Sequence, residues 1–240
     1  MATFLLISGA WHASWCWERI APLLRTSGHK VVAPDLLGMG PDPTPVSTVT
    51  LADWADQVAQ LVREQDEPVI LVGHSRGGIV ISEVGERVPE HIDRLVYLSA
   101  FMLADGVSVA QASSRVPHTH QADVMERRPD NTTVIRQEAV GSTFYNTTPS
   151  EWVARAEAQV SAEPLSGLVT PVHVTEKRYG KIPRAYIECT EDRAVPLELQ
   201  RAFQADLPCN SVITLETDHS PFYSAPELLV SALEGLVAPT

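Results

Sequence analysis

At 240 residues, with 44% hydrophobic and 20% charged side chains, the chain can bury one sizeable core and does not have the composition of a disordered, collagen-like or coiled-coil protein. A formal net charge of -12 without any local Lys/Arg cluster repels polyphosphate and excludes nucleic acid as an expected partner. The apolar run in MATFLLISG covers only about six residues, too short for a secretory segment or a membrane span, and Cys16, Cys189 and Cys209 lack metal-ligand spacing, so reduced thiols in a cytoplasmic protein are expected.

In chain order, TFLLIS (3–8) and KVVAPDL (30–36) read as buried strands, followed by a proline-rich surface loop, GPDPTPVS (40–47). LADWADQVAQLVREQ then places Leu51, Trp54, Ala55, Val58, Leu61 and Val62 on one face of a helix. PVILVGH (68–74) is a strand, GGIVISEVGERV a helix and RLVYLSA (94–100) a further strand. From Leu103 to about Pro183 no buried strand is legible. The region reads as a mostly helical insertion, with Thr148-Pro149-Ser150-Glu151 as a capping box that opens EWVARAEAQV. Asn131-Thr132-Thr133 and Asn146-Thr147-Thr148 match the glycosylation pattern but read as polar loop sequence. The alternation resumes with RAYIEC (184–189), SVITLE (211–216) and the amphipathic APELLVSALEGLV. Continuous apolar strands separated by helices predict an α/β core formed by 1–102 and 184–240, with a mostly parallel sheet of about six strands covered on both faces.

Within that core, Gly73-His74-Ser75-Arg76-Gly77 follows a strand and precedes a helix, the setting that exposes a nucleophilic serine on a tight, strained turn. His74 adjoins Ser75, but neighbouring side chains entering such a turn diverge, so His74 reads as a packed group and the base must come from another loop. His219, just past the last strand in ETDHSPFYSAPEL, is the expected base. His12, His29, His91, His118, His120 and His173 read as solvated or structural. The carboxylate that orients the imidazole is expected at Asp192, in TEDRAVP after RAYIEC, with Glu188, Glu191, Asp218 and above all Asp105 as rivals. Acyl transfer also needs donors for a developing oxyanion, and the backbone amides of Arg76 and Ala10 are the candidates. The Arg76 guanidinium is expected to face solvent or pair with an acidic neighbour, and Trp11, Trp15 and Trp17 to pack against the helix beneath.

SGAWHASWCW, GHSRGG, RYGKIPRAYIECTED and DHSPFYSAPELL, in that order, resemble the α/β-hydrolase subgroup of plant methylesterases and hydroxynitrile lyases with its bacterial esterase relatives. The resemblance spans nearly the whole chain. It implies the α/β-hydrolase fold, a Ser75, Asp192 and His219 triad, an oxyanion hole at Ala10 and Arg76, and a helical cap within 103–183 over an apolar pocket. Three positions depart from the pattern: Ser8 replaces the usual histidine before Gly9, Ala10 a threonine of the lyases, and Ser220 the lysine that follows their catalytic histidine. A cyanide leaving group needs a nearby positive charge, so hydrolysis of a small-molecule ester with an apolar or aromatic acyl part is favoured over cyanohydrin cleavage or non-catalytic ligand binding. No metal or organic cofactor is called for, and a homodimer is compatible with the sequence.

Overall fold

A computed structural model describes residues 1–116 and 123–237. Its strands are β1 (Thr3–Ile7), β2 (Lys30–Val32), β3 (Val69–His74), β4 (Ile92–Leu98), β5 (Met125–Arg127), β6 (Thr132–Ile135), β7 (Glu163–Pro164), β8 (Arg184–Cys189) and β9 (Ser211–Leu215). Six of them form one sheet in the order β2-β1-β3-β4-β8-β9, and every neighbouring pair is parallel. Every residue of β3 is buried, as a central strand covered on both faces requires. This is the fold expected from the alternation of strands and helices.

Two strands differ from the sequence reading in their bounds for local reasons. Pairing of β2 with β1 stops at Val32, ahead of Pro34, which has no N–H to donate and biases the residue before it. Asp35 then turns away, its Oδ1 accepting the Ser14 amide at 2.9 Å. β4 starts two residues early, at Ile92, and ends before Ser99, whose φ of 44° leaves the extended region. The amphipathic helix Leu51–Arg63 begins with a true capping box, Thr50 with Asp53, and buries Trp54, Val58 and Val62.

The insertion departs further from expectation. Helical pieces are present at Val109–Ser113, Val140–Phe144, Ser150–Glu157 and Ser166–Val169, but β5, β6 and β7 form an antiparallel sheet of the insertion's own. Its hairpin is made by side-chain chemistry rather than by apolar periodicity: Asp130 Oδ1 accepts from the Thr132 amide and hydroxyl, and Asn131 takes a φ of 63°. Thr132 and Thr133, read as loop, are therefore buried strand residues. The capping box expected at Thr148 does not form. Its hydroxyl donates to Asp218 Oδ2 at 2.8 Å, and the helix Ser150–Glu157 starts after Pro149 without a side-chain cap. His118 and His120 lie outside the described residues.

Candidate active site

The turn after β3 is as tight as its glycines predict. A Cβ on Gly73 would lie 2.6 Å from the Gly77 carbonyl oxygen, a distance no side chain tolerates. Between them Ser75 is held at a φ of 53°, its amide donating to Leu98 O at 3.2 Å and its carbonyl accepting from Gly78 and Phe101 at 3.0 Å each. Trp11 at 62° and Ser99 at 44° share this left-handed conformation, so strained residues follow the adjacent strands β1, β3 and β4 at their carboxyl ends.

Asp192 and His219 come together on that same edge. His219 Nδ1 lies 2.7 Å from Asp192 Oδ2, with both side chains buried. The carboxylate is immobilised by the amides of Ala194 and Val195 on Oδ1, at 2.7 and 2.8 Å, and by the Ser99 hydroxyl, which donates to Oδ2. Gln200 Nε2 reaches the same oxygen at 3.5 Å. With Nδ1 bound to the carboxylate, Nε2 is the nitrogen left for proton transfer. His74 is not a base. Its Nε2 donates to the His219 carbonyl at 2.8 Å, while burial, reinforced by the nearby His219 and His12, holds its pKa well below the usual histidine value. His219 Nε2, the ring nitrogen turned away from the carboxylate, makes no hydrogen bond with the Ser75 hydroxyl in this structure.

The rival carboxylates are committed elsewhere. Asp105 is exposed and accepts the Val174 amide at 3.1 Å. Glu188 is held by Arg201, Gln204 and Thr214, and Glu191 is exposed. Asp218 accepts from the Thr147 amide and Thr148 hydroxyl on one oxygen and from the Ser220 amide and Ser224 hydroxyl on the other, stapling the His219 loop to the insertion.

Opposite the imidazole, the loop after β1 is held mostly by the insertion. The Trp11 amide donates to Glu163 Oε2 at 3.2 Å, its carbonyl accepts the Ser161 amide at 3.0 Å, and its indole donates to Thr133. His12 lies 2.7 Å through Nδ1 from Ala10 O and 2.6 Å through Nε2 from the Tyr145 hydroxyl. Because a carbonyl only accepts, Nδ1 carries the proton and Nε2 accepts from Tyr145. Burial is the main reason the His12 pKa falls to about 4. Of the two expectations for Arg76, solvent exposure fails and pairing with an acidic neighbour holds, though the partner is distant in sequence. Arg76 is fully buried, with Nε 2.7 Å from Oε1 of Glu163, 87 residues away, and its guanidinium over the Trp54 ring. Trp11 faces the insertion instead of the helix beneath, and Trp17 packs on Phe222, just after His219. Trp15 stacks on His12.

Phe144 brings an aromatic ring of the insertion to 5.6 Å from the His219 ring and 5.8 Å from Trp11. A groove of about 570 Å³ is lined by Trp11, Val134, Ile135 and Val160 together with charged and polar side chains such as Glu126 and Arg128, and Ser75, Asp192 and His219 do not line it. Ser99, Gln200, Tyr145 and Glu163 support the site without having been singled out in the sequence, and His12, read there as solvated or structural, is a buried structural group.

The sequence model of the alpha/beta hydrolase family matches residues 4–232. Methylesterase 2 of Arabidopsis thaliana is 33% identical over 94% of this chain and 92% of its own length. A pyrethroid hydrolase of Sphingobium wenxiniae is 31% identical over 95% of this chain and 85% of its own. The chain spans about half the length of some chloroplastic putative methylesterases that it also matches. Among solved structures, polyneuridine aldehyde esterase superposes with a TM-score of 0.88 at 26% identity, covering 98% of this chain and 99% of that one.

Proposed function

The chain belongs to the alpha/beta hydrolase family as a carboxylic ester hydrolase, and we propose that Ser75, His219 and Asp192 are its catalytic triad and the amides of Ala10 and Arg76 its oxyanion hole. The observation that carries this reading is the buried Asp192–His219 contact of 2.7 Å beside a serine held in a left-handed turn. As Ser75 Oγ attacks the ester carbonyl carbon, His219 Nε2 takes its proton, and Asp192 stabilises the resulting imidazolium. The tetrahedral oxyanion receives the two amide N–H groups, each worth about 3 kcal/mol in sites of this kind. Collapse breaks the bond to the leaving alcohol, which takes the proton from His219. Water, deprotonated by the same imidazole, then releases the acid from the acyl-enzyme. The unclosed Ser75–His219 bond is compatible with this, because catalytic hydrogen bonds often tighten only when substrate binds.

Phe144 beside the imidazole, itself in contact with Trp11, favours an apolar or aromatic acyl group on a small-molecule ester. Methyl esters and pyrethroids, the substrates named in the relatives, are the classes to try first. Ser220 immediately after His219 supplies no cation for a cyanide leaving group, which favours hydrolysis over cyanohydrin cleavage. Three free cysteines support the cytoplasm as the compartment. No helix among the described residues is long and apolar enough to cross a membrane. Ser75→Ala is expected to abolish turnover of a p-nitrophenyl ester with the circular dichroism spectrum unchanged. Activity at a tenth of wild type or more would reject the assignment.

A further inference from the structure

The Arg76–Glu163 ion pair is buried beside the two amides assigned to the oxyanion hole, and its hydrogen bonds fall on the peptides of that loop. A peptide group is one resonant unit, so a donor on its oxygen both orients and polarises its N–H. The Gly9 oxygen belongs to the same peptide as the Ala10 N–H, and Arg76 Nη2 donates to it at 3.1 Å. The next peptide is gripped at both ends, Ala10 O by His12 Nδ1 at 2.7 Å and Trp11 N by Glu163 Oε2 at 3.2 Å. Glu163 also holds Arg76 through Nε at 2.7 Å and Nη2 at 3.3 Å, and Trp54 stacks 4.0 Å from the guanidinium carbon. One carboxylate on β7 therefore ties Arg76, which carries one proposed donor, to the peptide that follows Ala10, which carries the other.

We propose, on the reading of the site given above, that the Arg76–Glu163 pair is a positioning device that aims and polarises the Ala10 amide toward the developing oxyanion. Strand β7 of the insertion thereby completes the oxyanion hole. Stability is a poor reason for such a pair, since apolar residues of similar volume often replace buried ion pairs without loss. What apolar residues lack is a cation on the Gly9 oxygen. Lysine, a point charge without the guanidinium fork, cannot bind Glu163 through two nitrogens while also reaching that oxygen.

The test is the doubly neutral variant Arg76→Met with Glu163→Gln, which leaves no buried charge unpaired, beside Arg76→Lys and Glu163→Gln alone. Ester turnover and inhibition by an alkylboronic acid, which forms a tetrahedral adduct on the serine, are measured in each variant that keeps the wild-type circular dichroism spectrum. The expected result is KM within about twofold, kcat lower by about 10- to 100-fold, and boronic acid affinity lower by the same factor, with Arg76→Lys intermediate. A folded doubly neutral variant, or failing that a folded single variant, whose kcat and boronic acid affinity stay within twofold of wild type overturns the proposal. So does a loss confined to KM. If the wild type itself forms no adduct at Ser75 with a fluorophosphonate, the underlying reading of the site fails instead.

Discussion

The two halves of the site are built by different parts of the molecule. The acid–base half is a product of the parallel sheet: Asp192 follows β8, His219 follows β9, and the groups that fix them, Ser99, Gln200 and His74, also belong to the core. The oxyanion half starts on β1 and β3, but Glu163, Ser161, Thr133 and Tyr145 of the insertion hold it in place. The acid and base are thus held mainly by the core, with Asp218 tying the His219 loop to the insertion, whereas the loop after β1 takes its shape mostly from the insertion.

The largest expected effect breaks the core half. Asp192→Asn keeps the shape but removes the charge that faces His219 Nδ1, and kcat should fall by roughly 10³- to 10⁴-fold with KM little changed. A loss below tenfold in steady-state kinetics would move the acid elsewhere. Next is acid sensitivity on the oxyanion half. The folded chain holds His12 neutral down to about pH 4, whereas the unfolded chain protonates it near 6.5, so the unfolded state binds more protons between those values. Stability is then complete above pH 6.5 and drops by roughly 3 kcal/mol toward pH 4 on account of this residue. His74 adds to the loss with the same sign. Urea titrations at pH 7 and pH 4.5 should show a smaller difference for His12→Gln than for wild type, and an equal difference would put the acid sensitivity elsewhere.

Smaller in size is the staple that joins the halves. Asp218→Ala strips the partner from Thr147, Thr148, Ser220 and Ser224. It should cost about 2 kcal/mol and lower Tm by roughly 4–8 °C. A calorimetric Tm within 1 °C of wild type, on the order of the scan error, would show the staple to be idle. The smallest effect sharpens the choice of acid: Asp105→Asn, at an exposed carboxylate away from the imidazole, should leave kcat/KM within about twofold.

The contrast between the halves also sets what the sequence could show. Ser75, Asp192 and His219 each follow a strand that is legible in the sequence, so position relative to the strand ends brings them to one edge of the sheet. The pairing of Asp192 with His219 follows from the neighbouring places of β8 and β9. Ser99 ends a legible strand too, but its contact with Asp192 depends on β4 lying beside β8, which no residue of β4 announces. In the insertion the signals are weaker still. β5, β6 and β7 have 3, 4 and 2 residues, too few for alternation to register, and the turn at Asp130–Asn131 sets the β5–β6 pairing through side-chain bonds. Arg76 and Glu163 are 87 residues apart, so no helical or strand spacing relates them.

The most direct test of a serine activated by this convergence is intact-protein mass spectrometry after treatment with a fluorophosphonate, on wild type and on Ser75→Ala and His219→Ala. The structure predicts one adduct on wild type, mapped to residue 75 by peptide sequencing, none on Ser75→Ala, and labelling of His219→Ala slowed by at least about 100-fold. An adduct on another residue, or equal rates in wild type and His219→Ala, would contradict it.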